Sequence, residues 1–257
     1  MVAGYKEFEF DLPGALFAHL VAVLEKMTTA PFSDDNVGSI PEAQGVYQLF
    51  HDGELVYIGK TDAEAGLRKR LERHHAKLRH RKGLQPGEVS FKAVRIYVFT
   101  AMDLETELIK HYGGLRRIKW NGSGFGSNDP GRERDTTTYK DTHFDAMFPI
   151  NIDRSLETVL LSGESAATVL SRLKDTLPYV FRYEGRKGSR RAHPDLEEKK
   201  VDLSNMDSFT ARNLIERTVA QLPDGWQATK LPSHIILYKE NKNYIHGTII
   251  ARSNHSY

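Results

Sequence analysis

The chain has 257 residues, of which 39% are hydrophobic and 27% are charged, and its formal net charge at pH 7 is +2. These values are typical of a globular protein with a sizeable core, and the charge is too small to indicate nucleic-acid binding by the chain as a whole. The chain contains no cysteine, which excludes disulfides and thiolate zinc sites and suits a reducing cytoplasm. With no signal-peptide pattern and no apolar stretch near the ~20 residues of a membrane span, we expect a cytoplasmic protein without a membrane partner.

Hydrophobic periodicity and turn residues predict five elements in the first half of the chain. In chain order these are a helix over residues 13–27, a hairpin over residues 45–60, a helix over residues 66–80, a strand over residues 89–99 and a helix over residues 100–113. Thr100 and Asp103 resemble a capping box at the start of the last helix, and Gly113 suits its C-terminal end. This order of elements indicates a small mixed sheet with flanking helices.

The second half of the chain begins with a polar, glycine-rich loop over residues 121–141 and then returns to regular elements. We predict helices over residues 164–177 and 208–222, and strands over residues 178–184, 234–240 and 243–251. The predicted fold class is α/β, of the α+β kind. It comprises an N-terminal helix and arm at residues 1–40, a core with a small three-stranded sheet at residues 41–121, and a loop with a C-terminal α+β extension at residues 122–257.

The predicted hairpin carries two tyrosines ten residues apart, each beside a glycine. Half-buried strand tyrosines are common, although valine would serve an ordinary hairpin equally well. With a two-residue turn at Asp52 and Gly53, Tyr47 and Tyr57 would face opposite sides of the sheet. A shared site requires both rings on one face. We therefore predict a three-residue turn ending on Gly53, which places Tyr47 directly opposite Tyr57.

The helix after the hairpin is strongly basic, with eight lysine and arginine residues against one glutamate over residues 66–82. Most such runs are solvated helix faces. Its apolar stripe is formed by Leu67, Leu71 and Leu78. His74 falls within this stripe, as satisfied core histidines often do, and Arg70 lies along its edge. A guanidinium near a core requires an anionic partner, and a phosphate is one candidate. The outward-facing cations in this interpretation are Lys69, Arg73 and Lys77.

The next helix places one of two neighbouring carboxylates on its apolar face. At about 100° per residue, Glu105 falls among the apolar residues, whereas Glu107 points away from them. That face is formed by Leu104, Leu108, Ile109 and Tyr112. Burying an unpaired carboxylate is costly, so a cation is required to receive it. The cation is either an arginine or a divalent metal ion, and the pattern alone leaves both open.

Four segments, in order and spacing, resemble the GIY-YIG nuclease superfamily. They are Gly45-Val46-Tyr47, Tyr57-Ile58-Gly59, Leu67-x-x-Arg70-x-x-x-His74 and Glu105-x-x-Leu108-Ile109. Valine replaces the usual isoleucine in the first motif, and the resemblance covers residues 41 to about 121. Asn121 and the following residues 124–135 resemble the restriction-endonuclease branch, whose members cut GC-rich palindromes. The resemblance therefore implies a double-stranded DNA substrate and a homodimer, because a palindrome mirrors a two-fold axis.

The resemblance also implies a mechanism with one divalent metal ion. Glu105 would hold Mg²⁺, or Mn²⁺ in its place, which suits a site with one carboxylate, waters and a phosphate. Tyr47 would act as the general base toward the attacking water. Because a free tyrosine has a pKa near 10, it needs a neighbouring group to become usable. Lys60 and His74 are the alternatives for that group.

The remaining catalytic roles implied by the resemblance concern the phosphate. Arg70 would stabilise the negative charge that develops on it. Tyr57 would hydrogen-bond the phosphate or a metal-bound water, and Asn121 would position the phosphate or the leaving group. Contacts with DNA are expected from Arg68, Arg73, Lys77, Arg132, Arg134, Arg186 and Arg190.

Two other functions compete with a type II restriction endonuclease. One is a GIY-YIG nuclease of DNA repair or of a mobile element, although those enzymes often carry a recognisable DNA-binding module. The other is a DNA-binding protein whose nuclease site has decayed. The complete set of Tyr47, Tyr57, Arg70 and Glu105 in the sequence argues against decay.

Overall fold

The computed structural model describes residues 3–62, 64–97, 102–126, 129–157, 162–206 and 208–253. The chain divides into two compact units. The first comprises Met1–His75 and Gln85–Gly122, and the second comprises Ala76–Leu84 and Ser123–Tyr257. Within the described residues, every helix is too short or too polar to cross a bilayer.

The described elements follow the predicted order, with several short additions. The helices are α1 (Leu12–Lys26), α2 (Asp34–Gly38), α3 (Leu67–Arg79), α4 (Leu104–His111), α5 (Phe144–Met147), α6 (Ala166–Thr176), α7 (Pro194–Glu198) and α8 (Ala211–Val219). The strands are β1 (Ala30–Pro31), β2 (Gly45–His51), β3 (Glu54–Thr61), β4 (Val89–Arg95), β5 (Val180–Tyr183), β6 (Trp226–Lys230), β7 (His234–Lys239) and β8 (Thr248–Arg252). Two 3₁₀ helices span Pro86–Glu88 and Gly131–Thr136.

The sheet of the first unit has the strand order β1-β4-β2-β3, and all of its pairings are antiparallel. The predicted α+β core is confirmed, but the sheet is not mixed and has four strands rather than three. The additional strand, β1, pairs Ala30 with Phe91 and Pro31 with Ser90. Two residues are too few to produce a hydrophobic period, so the sequence did not indicate this strand.

Helices cover both faces of this sheet. On one face, Leu20 and Leu24 of α1 pack with Val46, Ile58 and Leu108 in a buried cluster. On the other face lies α3. The bounds of α1 and α3 agree with the predicted helices within one residue at each end.

Helix α4 begins one turn later than the sequence suggested. The side chain of Asp103 caps it by accepting a hydrogen bond from the backbone N–H of Thr106. Thr100, the predicted partner in a capping box, lies outside the described residues. The last residues of the predicted strand 89–99 also lie outside them, and β4 ends at Arg95.

The hairpin differs from its predicted geometry in both turn and register. Asp52 and Gly53 form a two-residue turn, with φ values of 51° and 79° that suit a type I′ turn. Tyr47 pairs with Gly59, whereas Tyr57 pairs with Leu49. The prediction of direct Tyr47–Tyr57 pairing was therefore wrong. A bulge in β3 shifts the register by one residue, and this shift brings both tyrosines to the same face.

The second unit contains a four-stranded sheet of order β5-β7-β6-β8, in which only β5 and β7 are parallel among the described pairs. One face packs with α6 and α8. Its core includes Leu170, Leu173, Phe181, Leu214, Ile215, Trp226, Ile235 and Leu237. The predicted helices and strands of this region are present, but β6 was missed, because Trp-Gln-Ala-Thr-Lys shows little apolar alternation.

The other face of the second sheet carries a buried polar network around Asp135. Asp135 forms an ion pair with Arg182, accepts a hydrogen bond from the Tyr238 hydroxyl (3.1 Å) and lies 2.8 Å from Nε2 of His234. Asp135 belongs to the 3₁₀ helix Gly131–Thr136, so the network fixes this segment on the sheet. The polar loop that was expected to reach DNA is therefore packed against its own unit at these residues.

We expect the second unit to lose stability as the pH falls toward 4, because His234 is buried in a neutral form. Burial lowers the pKa of His234 to about 4, and the charge of Arg182 acts in the same direction, against the hydrogen bond with Asp135. Since an ordinary histidine has a pKa near 6.5, the unfolded chain binds more protons between these two pH values. The contribution of neutral His234 to the unfolding free energy is fully present above about pH 6.5. It declines below that pH, and the loss is about 2 kcal/mol at pH 5.

Urea unfolding of the wild type and of His234→Gln, at pH 7 and at pH 5, measures this effect. Glutamine does not titrate, so the variant should lack the histidine's share of the acid destabilisation, whatever its stability at pH 7. Equal losses in the two proteins would show that His234 is not buried in a neutral form.

Candidate active site

The ring of Tyr47 lies close to Gly59, where any larger residue would collide with it. Tyr47 is fully buried, and its ring covers the position of Gly59. A Cβ atom at Gly59 would overlap Cζ and Oη of this ring. A Cβ atom at Gly45 would overlap the backbone oxygen of Val94. Gly59 therefore allows the close approach of the Tyr47 ring, whereas Gly45 allows the close approach of the backbone at Val94.

Tyr47, Tyr57 and His74 form a compact group of rings. The ring centroids of Tyr47 and Tyr57 are 6.0 Å apart, and those of His74 lie 5.7 Å and 5.5 Å from them. The Tyr47 hydroxyl is 2.8 Å from Nε2 of His74, and Nε of Arg70 donates a longer hydrogen bond of 3.4 Å to the same oxygen. The residues that the sequence placed along one stripe of α3 thus meet at the hydroxyl of Tyr47.

Burial dominates the acid–base properties of the two tyrosines. It raises the pKa of Tyr47, and the hydrogen bond and charge of Arg70 only partly oppose this rise. Burial also raises the pKa of Tyr57, with a further contribution from the negative charge of Glu105. Both hydroxyls therefore keep their protons in the free protein near neutral pH. If Tyr47 is to accept a proton, its own hydroxyl proton must therefore pass to a neighbouring group.

Glu105 lies at the start of α4, half-buried as the helical wheel predicted. Its Oε2 atom accepts a hydrogen bond of 3.2 Å from the backbone N–H of Lys60. Burial raises the pKa of Glu105, and the charges of Lys60 and Arg70 act in the opposite direction. No lysine or arginine among the described residues forms an ion pair with this carboxylate. The group is thus suited to receive a cation.

Lys60 does not occupy the position beside Tyr47 that the sequence allowed for it. It pairs with Val46 in the ladder, so its side chain projects from the face opposite to Tyr47. Its Nζ atom lies 2.8 Å from Oδ1 of Asp103, and this hydrogen bond holds the pKa of Asp103 at about 2. The pair connects β3 to the first residue before α4, and it thereby positions Glu105.

Asn121, which the resemblance assigns to the phosphate or the leaving group, has its side chain bonded to the backbone of β3 in the structure. Its Oδ1 atom accepts a hydrogen bond from Ile58 N–H (2.8 Å), and its Nδ2 atom donates one to Ile58 C=O (2.9 Å). The preceding Trp120 donates its backbone N–H to the carbonyl of Val56 at 2.8 Å. Asn121 therefore binds the backbone of β3 between Tyr57 and Gly59, as a neighbouring strand would.

The predicted DNA contacts on the basic helix have unequal surroundings. Arg73 is exposed. Arg68 donates from Nε to the Ile40 carbonyl at 2.7 Å, so it is partly engaged within the protein. Lys77 was expected to face outward, and this was wrong. Its ammonium group bonds the carbonyl of Phe125 and lies over that ring, because the apolar stem gains packing there.

Among the DNA contacts predicted in the second half of the chain, Arg134 is largely buried in the structure. It forms an ion pair with the buried carboxylate of Asp145 at 2.9 Å, and only 13% of its side chain is exposed. Arg132, Arg186 and Arg190 remain exposed or largely so. These three stay available to a ligand, whereas Arg134 compensates a buried charge.

Two features of the site were not among those predicted from the sequence. Asp103 was seen only as a helix cap, although its partner Lys60 shows that it also connects two elements of the site. The second feature is that Trp120 and Asn121 bond the backbone of β3 as a neighbouring strand would, which the sequence analysis did not predict. An aspartate two residues before a partly buried glutamate was the available signal for the first of these.

The site fits one divalent metal ion held by a single carboxylate. Among the described residues, no group of three or more histidine and acidic side chains converges. Glu105 would therefore be the acidic ligand by itself, with water and substrate oxygens completing the coordination. Mg²⁺ commonly binds through one or two carboxylates together with phosphate oxygens, and the half-buried carboxylate of Glu105 suits such a ligand.

A face with two tyrosines, an arginine, a histidine and one adjacent carboxylate is chemically suited to phosphodiester hydrolysis. Residues 43–119 match the family model of the GIY-YIG catalytic domain, so this part of the chain is a GIY-YIG catalytic domain. The domain indicates an endonuclease, with DNA as the implied substrate, and nucleases that carry it generally depend on a divalent metal ion. A search of curated proteins gives no match to the chain.

Replacing Gly59 by alanine tests the close approach of Tyr47. The added methyl group would overlap the Tyr47 ring, so we expect a loss of about 1–3 kcal/mol in unfolding free energy and a lower cleavage rate. Urea unfolding and a DNA cleavage assay provide the two measurements. Gly38→Ala is the control, because a Cβ atom there meets nothing within 4 Å. Equal effects of the two substitutions would contradict the proposed constraint.

Proposed function

We propose that the chain is a type II restriction endonuclease, which cuts double-stranded DNA at a specific site. The observation that carries the proposal is the convergence of Tyr47, Arg70 and His74 on one face, with Glu105 beside it. The extension to the restriction branch rests on the resemblance of Asn121 and residues 124–135 to that branch. The cysteine-free sequence supports the cytoplasm as the site of action.

In this proposal Tyr47 is the general base and His74 is its proton acceptor. The two groups are 2.8 Å apart, so the hydroxyl can donate to a neutral Nε2 atom while its lone pair faces the attacking water. As the water loses a proton to Tyr47, the tyrosine proton passes to His74. Burial raises the pKa of Tyr47, so the hydroxyl holds in the free protein the proton that this transfer would pass to His74.

Arg70 and Tyr57 are assigned to the phosphate. Arg70 hydrogen-bonds the Tyr47 oxygen, which supports a role for its guanidinium at the phosphate that the activated water attacks. It would stabilise the additional negative charge of the transition state, while the Tyr57 hydroxyl would donate a hydrogen bond to a phosphate oxygen. A divalent metal ion held by Glu105 would supply further positive charge at the phosphate and at the leaving oxygen.

Sequence recognition is assigned to the second unit together with the exposed cations of the basic helix. The second unit has its own sheet and core, and its arginines Arg132, Arg186 and Arg190 are suited to phosphate or groove contacts. We propose a GC-rich palindrome as the target and a homodimer as the active form, since a two-fold symmetric site is cut by two equivalent chains.

Incubation of the protein with plasmid DNA and Mg²⁺ tests the proposal. Discrete fragments that end at one common sequence would support a restriction endonuclease. A smear of products would instead favour the alternative of a repair or mobile-element nuclease without strict specificity. Intact plasmid after incubation with Mg²⁺ and with Mn²⁺ would favour a decayed site and would overturn the proposal.

A further inference from the structure

The second unit contains an open cleft of about 250 Å³ whose lining is rich in cations. Its cationic side chains are Arg132, Lys174, Arg182, Arg190 and Arg191. Two aromatic rings, those of Tyr183 and Tyr238, also line it. No carboxylate belongs to the lining among the described residues. Like charges around one small space repel each other unless anionic groups offset them.

Internal ion pairs neutralise only two of these cations. Arg132 lies 3.2 Å from Glu184, and Arg182 lies 2.7 Å from Asp129 in addition to its pair with Asp135. For Lys174, Arg190 and Arg191, no described acidic group is within ion-pair distance. The cleft thus presents about three unneutralised positive charges, which is enough for a mono- or dianion.

The cations come from separate elements that are each held in place. Lys174 belongs to α6, and its ammonium group lies 5.9 Å from the ring centroid of Tyr183. The guanidinium of Arg132 stacks on Tyr238 at 4.4 Å. These contacts orient both side chains before any ligand arrives, and preorganised cations lose less conformational entropy on binding.

Arg190 and Arg191 lie on an ordered turn. Gly185 and Ala192 form an isolated β-bridge at its base, and Arg186 donates its backbone N–H to the carbonyl of Arg191 at 3.0 Å. Gly188, with φ of +72°, allows the chain to reverse. The turn therefore presents its two arginines from a defined backbone.

We propose that this cleft binds a phosphate group of the DNA backbone. Planar guanidinium groups match the oxygens of a phosphate through paired hydrogen bonds, and an ammonium group adds a point charge. The proposal rests on the proposed function in that it takes DNA as the polymer. It adds a phosphate contact that involves Lys174 and Arg182, which the sequence had not indicated.

The test is DNA binding by a double variant, Lys174→Ala with Arg190→Ala, at several salt concentrations and without divalent metal. A labelled duplex and fluorescence anisotropy give the affinity. Losing one phosphate contact should reduce the slope of log affinity against log salt by about one. Since this contribution vanishes near 1 M salt, affinity at ~0.1 M salt should fall roughly eightfold, and equally for all sequences.

The matched control is Lys187→Ala with Lys200→Ala. These lysines are exposed in the same unit and do not line the cleft, and the control removes the same two charges. We expect its salt slope to match that of the wild type. Thermal melting of both variants at or above the wild-type temperature would show that they remain folded. The same change of slope in both variants would overturn the proposal, because general charge would then explain it.

Inorganic phosphate distinguishes a DNA phosphate from a free one. If it binds the wild type but not the cleft variant, while the two proteins bind DNA equally, the cleft is a site for free phosphate and the proposal fails. Cleavage of plasmid by the wild type is measured in parallel with Mg²⁺. A wild type that does not cut would overturn the nuclease mechanism, whereas the binding comparison would still decide the role of the cleft.

Discussion

Glu105→Gln is expected to reduce DNA cleavage by more than about 10²-fold, since loss of an outer partner of a metal ligand already costs about 10–100-fold. Glutamine keeps the shape of the side chain but removes the charge that would hold the metal ion. DNA binding without metal should persist or tighten, because one negative charge near the phosphate has gone. The folded protein should not be destabilised, since burial raises the pKa of this carboxylate.

Glu107→Gln is the internal control for this experiment. Glu107 lies two residues away on the same helix, and its side chain is partly exposed and pairs with Lys110 at 2.7 Å. Such surface pairs contribute little, so cleavage should change by less than about twofold. Parallel cleavage and binding assays compare the two variants. Equal losses, or a Glu105→Gln protein that still cuts, would refute the assignment of Glu105 as the metal ligand.

Arg70→Ala should lower the turnover rate by about 10²–10³-fold, as expected when a group that stabilises transition-state charge is removed. DNA affinity should fall much less, because the main contact strengthens only in the transition state. The substitution also removes the hydrogen bond from Arg70 to the Tyr47 hydroxyl. Single-turnover cleavage with saturating enzyme separates the loss of rate from any loss of binding.

Lys69→Ala provides the comparison on the same turn of α3. Lys69 is exposed and carries the same charge, but it does not face the tyrosines. Its replacement should leave the single-turnover rate close to that of the wild type. If Arg70→Ala instead lost affinity and kept its rate, Arg70 would be a docking residue without a role in the chemical step.

Helical periodicity was sufficient to locate the main helices of the fold. Helices α1 and α3 were predicted within one residue at each end, because apolar side chains at a spacing of 3.6 residues mark a buried stripe. The two-residue strand β1 and the polar strand β6 left no such signal. Both are held by their partners in the sheet, and pairing partners distant in sequence cannot be read from local pattern.

The same limit explains which site residues were correctly placed. A stripe on one helix was enough to bring Arg70 and His74 together. The length of the turn at Asp52 and Gly53 was predicted wrongly. The bulge that brings both tyrosines to the same face depends on pairing across the whole sheet, which local sequence does not show. Lys77 and Arg134 turn inward because they contact Phe125 and Asp145, respectively. The positions of these two partners are set by packing within the second unit.

The contact between Asn121 and Ile58 also affects how two copies of the chain can associate. Exposed sheet edges tend to pair with a strand of another molecule, which promotes aggregation. In the first unit, one edge strand is β3, where the amide of Asn121 already bonds both backbone groups of Ile58. The opposite edge strand is only Ala30–Pro31, and proline lacks the N–H that a ladder needs. Both edges of this sheet are thus protected, so in a homodimer the first unit would contribute side-chain surfaces rather than a strand of a continuous intermolecular sheet.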